Sequence, residues 1–320
     1  MKTLLATAAA LALAACAQPV AEPPATAEAP PPTTAMETSA AALPDADPAM
    51  WVVRDEDTAI YMLGTFHLLD GKQQWFNDEV RAAYEAADEV VLEAEPPEDM
   101  SAVQQLLLRY ARDPDGPPLS ARLSEDMRAK LAAQLAEIGA PPTAFDQFDP
   151  WFVTMTLSAL AAQKLGLTPE QGPETLIAAQ ARADGKPIGE LEGFETQIVM
   201  FDGMPEEQQL EQLEVTLDYL EELPDQFGRM KAAWASGDVE TLVAMITEGF
   251  EDQPELYRII FSDRNARWAE WIDERLDTPG TVFMAVGVGH LAGEDSVQEL
   301  LAARGIASER IEDEEDVLAD

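Results

Sequence analysis

Only two histidines occur among the 320 residues, and both sit in the same local setting. His67 lies in "YMLGTFHLLDG" and His290 in "VFMAVGVGHLAGED", so each reads Gly-x-x-His-Leu after an apolar run. An imidazole in such a place can act as a general acid or base, a metal ligand or a cap for backbone groups. Gly averages about 7% of residues, so Gly three residues before both histidines is roughly a 0.5% coincidence. A shared structural role explains it better. Gly64, Gly287 and Gly289 fall where the apolar runs end, and Gly there permits a positive φ or a close backbone approach. In an open α/β sheet, the carboxyl ends of the strands are also where ligand crevices form.

Two acids share that setting. Glu93 follows the run "EVVL", and Glu192 ends the short run before "GFETQ". A carboxylate just past an apolar strand is half-buried and needs a cation, a metal or several hydrogen bonds. Two imidazoles with one or two carboxylates suit Zn, Mn, Fe or Co as a divalent ion, which could activate water and polarise a carbonyl. Spacing alone leaves three readings open. These are a metal site, a metal-free acid–base site, and structural roles in which each histidine is satisfied by backbone and each glutamate pairs with an arginine. Arg264 and Asn265, in "SDRNARWAEWI", are further candidates: the guanidinium could anchor a substrate carboxylate or oxyanion, or simply form an ion pair. The pair Trp268/Trp271 reads as core. Other templates fail, because the chain has no His-Glu-x-x-His, no Gly-x-Ser-x-Gly and no phosphate loop.

The elements that must position these residues can be traced along the chain. Thr58–Phe66 reads as a buried strand, Asn77 caps a helix with acids in its first turn, and "EVVLEAEPP" is a second strand. Strand, helix and strand in so short a span form a βαβ unit. The middle is helical, with Ser124 and Asp149 as caps, Pro150 opening its helix and Gly139, Gly166 and Gly185 as stops. Pro187–Leu191 is a third strand. A long helical stretch from Pro205 to Leu276 breaks at Pro224, Gly237 and Pro254. Thr281–Val286 returns to strand, a helix over Asp295–Arg304 follows, and "IASERIE" is a last short strand. The expected fold is α/β (α+β): a small central, mostly parallel sheet with pseudo-duplicated βαβ ends and a large helical insertion.

The amino terminus reads differently. Lys2 precedes the apolar run Leu4–Ala15, which is too short to span a bilayer, a task that needs roughly 20 residues. It ends in "LAAC", and Cys16 is the only cysteine. This resembles the lipobox of a bacterial lipoprotein, with residues 1–15 removed and Cys16 lipidated. A single cysteine excludes an intrachain disulfide and a Cys-based zinc site. Eight of the 23 prolines fall in Ala17–Pro48, which reads as a disordered tether within a linker over 16–50. The folded domain is expected over 51–311, with 312–320 a solvated acidic tail. The formal charge of −41 argues against nucleic-acid binding. A lipid anchor on Cys16 would place the domain at a membrane of the cell envelope, by default an outer membrane, facing the periplasm or the cell surface.

In order along the chain, "LGTFHLLD", "VVLEAEP", "GPETLIAAQA", "GELEGFETQ", "DRNARW" and "VGVGHLAGED" resemble the TraB/GumN family. That family is related to the Tiki metalloproteases and more distantly to the erythromycin-esterase and haem-binding ChaN-like fold. The resemblance covers Trp51–Ile311. Glu93-Ala-Glu95 and the Gly193 that follows Glu192 depart from its usual pattern, which leaves open which carboxylate binds. The resemblance implies a metal-dependent hydrolase acting on peptide bonds, with a peptide or a small molecule as its substrate. His67 and His290 would be metal ligands, Glu93 a ligand or the general base and Glu192 the other carboxylate. Arg264 and Asn265 would orient substrate or brace the site. Haem or iron binding and a non-catalytic envelope scaffold are the alternatives.

Overall fold

A computed structural model describes residues 43–95, 99–250 and 253–318. Cys16, the apolar leader and the tether up to residue 42 lie outside them. Six strands form one sheet: β1 (Met50–Arg54), β2 (Thr58–Thr65), β3 (Glu89–Leu92), β4 (Ile188–Glu190), β5 (Gly280–Gly287) and β6 (Ser308–Ile311). Their order is β4-β3-β5-β2-β1-β6. The pairs β4–β3, β3–β5 and β5–β2 are parallel, while β1 runs antiparallel to both β2 and β6. The expected α/β class and mostly parallel sheet are therefore present.

This order explains the repeated histidine motif. β2 and β5 are neighbours in register, with Gly64 opposite Val286 and Thr65 opposite Gly287. The two Gly-x-x-His segments, remote in sequence, thus leave the sheet side by side at its carboxyl edge. β3 flanks β5 on the other side with Leu92 opposite Ala285, and β4 flanks β3 with Glu190 opposite Leu92. Glu93 and Glu192 emerge at the same edge, held together by the bond from the Glu192 amide to the Glu93 carbonyl at 3.1 Å.

The central strands are apolar throughout because both faces are covered, as parallel sheets require. Alternation along the pleat divides their side chains between two cores. Tyr61, Leu63, Val90, Leu92, Phe283 and Ala285 face the helical insertion, including Trp151, Leu213 and Trp234. Ile60, Met62, Val91, Val282, Met284 and Val286 face Trp268, Ile272 and Leu301. The helix Asp263–Leu276 is therefore the element that backs the site from the second face.

Most anticipated caps are in place: Asn77 and Ser124 accept from Val80 N and Met127 N, and Pro150 opens its helix. Four details differ from expectation. The strand β1 borders β2 where only a domain boundary was read, and β2 and β3 are separated by β5 rather than paired. The folded region also starts before Met50: Ala46 and Ala49 are buried, and Ala46 N donates to Gln74 O. The carboxyl-terminal segment, read as solvated, forms a short helix Glu314–Leu318 with Val317 buried. Arg54 Nη2 donates to Asp316 O at 2.6 Å and Tyr61 Oη to Val317 O at 3.0 Å, so the acidic composition hides a docked turn.

The early segment also creates an acidic contact. Glu79, in the first turn of the helix Asp78–Ala86, faces Asp47, and burial first and then this carboxyl pair push its pKa up to about 7. The protonated form is favoured in the fold, so this contribution is complete below the ordinary value of 4.5 and is lost as pH rises through about 7. Glu79→Gln is expected to raise the melting temperature relative to wild type at pH 8 and to leave it nearly equal at pH 4. Equal melting temperatures at both pH values would show that Asp47 and Glu79 do not interact.

Candidate functional site

The carboxyl edge of β2, β5, β3 and β4 brings together all six sequence-derived polar candidates. His67 leaves β2, and its Nδ1–H donates to Glu174 Oε1 at 2.6 Å. The Thr65 hydroxyl donates to the same oxygen. Glu174 opens the helix Pro173–Asp184, whose N-cap Gly172 sits against the His67 backbone: a Cβ on Gly172 would come within 2.1 Å of the His67 carbonyl oxygen. The glycine is therefore a condition for placing Glu174 under the imidazole. Burial opposes a charge on His67, but Glu174 and then Glu93 outweigh it and push the pKa up to about 9.

His290 lies in the short 3₁₀ turn after β5. Its Nδ1–H donates to Asn265 Oδ1 at 2.6 Å, and the Asn265 amide donates to Asp295 O at 2.6 Å, which fixes the amide orientation. His290 Nε2 then carries a lone pair, which accepts from Arg264 Nη1 at 3.0 Å. Burial and then the adjacent Arg264 hold the pKa of His290 well below its ordinary value, so the ring is neutral.

Glu93 is the hub. Its Oε1 accepts from Arg264 Nη2 and from Gln197 Nε2, the latter at 2.9 Å. Its Oε2 accepts from the Gly287 amide at 3.2 Å and lies 4.0 Å from His290 Nε2. Burial alone would raise its pKa, but the Arg264 guanidinium and the His67 imidazolium hold it below the usual carboxylate range. Glu192 accepts from Arg264 Nη2 and, at 3.0 Å, from Gln197 Nε2. Arg264 is 2% exposed, which settles its setting: it is a buried ion-pair partner of both glutamates and not a surface residue.

Gly287 is the floor of the site. With φ −51°, it needs no left-handed backbone. A Cβ there would stand 3.1 Å from His67 Nε2 and 3.4 Å from Glu93 Oε2, so close approach is what calls for glycine. Gly64 has a different place. A Cβ there would stand 2.9 Å from Val288, and its carbonyl accepts from Trp234 Nε1 at 2.8 Å, so it seats β2 against the turn and the insertion.

The donor set suits a borderline divalent ion. Each Nδ1–H is tied to an acceptor, Glu174 or Asn265, which is the arrangement that orients metal-ligating histidines and leaves Nε2 as the donor atom. Among the described residues no three such groups stand at coordination spacing. At His290 the Nε2 lone pair is taken by the Arg264 Nη1–H. His67 Nε2, His290 Nε2 and Glu93 Oε2 are the atoms that would hold the ion once that bond is released and His67, whose pKa is raised to about 9, gives up its Nε2 proton.

Glu174, Thr65 and Gln197 join the site without having been singled out, and Trp268, read as core and buried there, also touches it. Glu174 carried a signal, an acid in the first turn of a helix opened by Gly-Pro, but nothing in the sequence tied it to His67.

The family model described as TraB/PrgY/gumN matches residues 49–310. The protein described as "Uncharacterized protein YbaP" of Escherichia coli (strain K12) is 27% identical over 254 residues, covering 79% of this chain and 92% of its own length. The protein of the same description in Shigella flexneri is 30% identical over 192 residues, covering 60% of this chain and 71% of its own. No solved structure matches. With a family model spanning the whole sheet and the helices that back it, the chain belongs to the TraB/PrgY/gumN family.

Proposed function

We propose that this protein is a lipid-anchored, metal-dependent hydrolase of peptide bonds or related amides and esters. The observation that supports the reading is the pair of histidines whose Nδ1–H groups are both tied down, with Glu93 Oε2 4.0 Å from His290 Nε2 and with Glu93 Oε2 and His67 Nε2 both bordering Gly287. A divalent ion bound there supplies Lewis-acid polarisation of a carbonyl and acidification of water. The protein's own groups do the rest. Glu93 is the carboxylate ligand through Oε2, which the Gly287 amide orients. Glu192, one residue-pair further from the sheet, is the carboxylate left to carry a proton. Arg264 braces both, and Asn265 fixes the tautomer of His290. The leader "MKTLLATAAALALAAC" supports attachment through Cys16 at the envelope, with the periplasm or cell surface as the working compartment.

The test is cleavage of a peptide mixture by mature protein supplied with Mn, Zn, Co or Fe. Cleavage that stops with chelator, returns with metal and is absent from His67→Ala and His290→Ala supports the reading. Equal cleavage by both variants removes it.

A further inference from the structure

Four residues along one helical face all meet His290. Phe261, Arg264, Asn265 and Trp268 stand at positions i, i+3, i+4 and i+7, the spacing of a single helix stripe. Arg264 and Asn265 bond the two ring nitrogens. Phe261 and Trp268 contact the ring itself, with centroids 5.0 Å and 4.3 Å away at interplanar angles of 50° and 44°. Trp268 also lies under the Arg264 guanidinium, 4.8 Å from its ring centroid. The stripe crosses from a π-helical turn, Arg258–Ser262, into the regular helix Asp263–Leu276. Such turns recur at functional sites.

Two details set this apart from ordinary packing. Gly289, immediately before His290, would place a Cβ 2.9 Å from the Phe261 ring and 3.0 Å from Ile246. The second glycine of "VGVGH" is thus the space Phe261 needs to reach the imidazole. Trp268 is 1% exposed and its Nε1–H has no hydrogen-bond partner among the described residues. A buried unpaired donor costs about 1–3 kcal/mol, which a phenylalanine or leucine would avoid. Hydrogen bonding does not explain an indole at this position, whereas a broad face touching both His290 and Arg264 does.

We infer that Phe261 and Trp268 are positioning residues: an aromatic clamp that sets the plane of His290 so that Nε2 is delivered towards Glu93, with Trp268 holding the Arg264 guanidinium in the same frame. Its bearing on metal loading rests on the proposed hydrolase site, but the clamp itself does not.

The chain's two histidines make the test direct, because selective ¹⁵N-histidine labelling yields signals from two rings only. In wild type, His290 is expected as the neutral Nδ1–H tautomer. Trp268→Leu, which keeps apolar bulk and removes the flat face, is expected to let the ring tilt off its bond to Asn265, so that His290 tautomers mix while the His67 signals stay put. Zinc affinity should fall roughly 10–100-fold, as for other groups that orient ligands. Trp268→Phe, which keeps a face, should recover most of both. An unchanged His290 tautomer in Trp268→Leu, with zinc affinity within about twofold, the scatter of such comparisons, overturns the inference. If Trp268→Leu disturbs both histidines alike, Trp268→Phe decides: wild-type His290 signals support the clamp, and mixed tautomers overturn it. Failure of the wild type to bind zinc counts against the hydrolase reading, while the tautomer comparison still judges the clamp.

Discussion

Replacing Arg264 by methionine is expected to lower the free energy of unfolding by about 3–5 kcal/mol, the range for removing one partner of a buried ion pair. The guanidinium bonds Glu93, Glu192, His290 and the Ile260 carbonyl, and the side chains of Glu93 and Glu192 are only 6% and 8% exposed. Methionine fills similar volume but leaves two buried carboxylates without their shared cation. The loss therefore comes from uncompensated charge more than from packing. The triple variant Arg264→Met, Glu93→Gln, Glu192→Gln removes the charges with their partner and should regain much of the stability, since neutral or apolar replacement of a buried pair is often harmless. Urea unfolding of the two variants measures the difference. A cost below about 1 kcal/mol for Arg264→Met, the level of an exposed pair, would mean that water reaches the carboxylates.

Above the raised His67 pKa of about 9, where the ring is neutral in both proteins, Glu174→Gln is expected to weaken binding of a divalent ion roughly 10–100-fold while leaving the fold intact. The amide can still accept from the His67 Nδ1–H, so the ring keeps a partner but loses the negative charge beneath it. The pKa of His67 should fall from about 9 towards its ordinary 6.5, because Glu174 is the main group opposing the desolvation of the ring. Glu174→Ala should lose orientation as well as charge and bind more weakly still. Calorimetric titration with zinc or manganese, beside the ¹⁵N titration of His67, reads both effects. If Glu174→Gln matched wild type in both, the contact with His67 would be incidental.

Much of the site is legible in the chain because its polar groups sit directly after strands. His67, His290, Glu93 and Glu192 each follow an apolar run, and a strand end fixes where such residues emerge. Arg264 and Asn265 were visible as polar residues interrupting an apolar helix. What could not be read was the strand order. That β5 lies between β3 and β2 follows from crossovers through the insertion, and it decides that Gly287 faces both His67 and Glu93. Glu174 and Gln197 belong to helices whose docking depends on the same order. β1 was missed because "MWVVR" abuts the proline-rich stretch and shows no clear alternation. The carboxyl-terminal turn was missed because five acids outweigh one buried valine in composition. The alternative in which glutamates pair with an arginine is also present in the molecule, as the Arg264 contacts. It coexists with the histidine arrangement, since Arg264 takes Glu93 Oε1 and leaves Oε2 to the site.

The central claim is that His67, Glu93 and His290 together hold one divalent ion. Its most direct test is the metal content of mature protein purified without chelator, compared with the double variant His67→Ala/His290→Ala. The wild type is predicted to retain about one equivalent of Mn, Fe, Co or Zn in total, as a single site of this donor set requires, and the double variant to retain none. Equal metal content in the two proteins, or none in either after addition of these ions, would contradict the account.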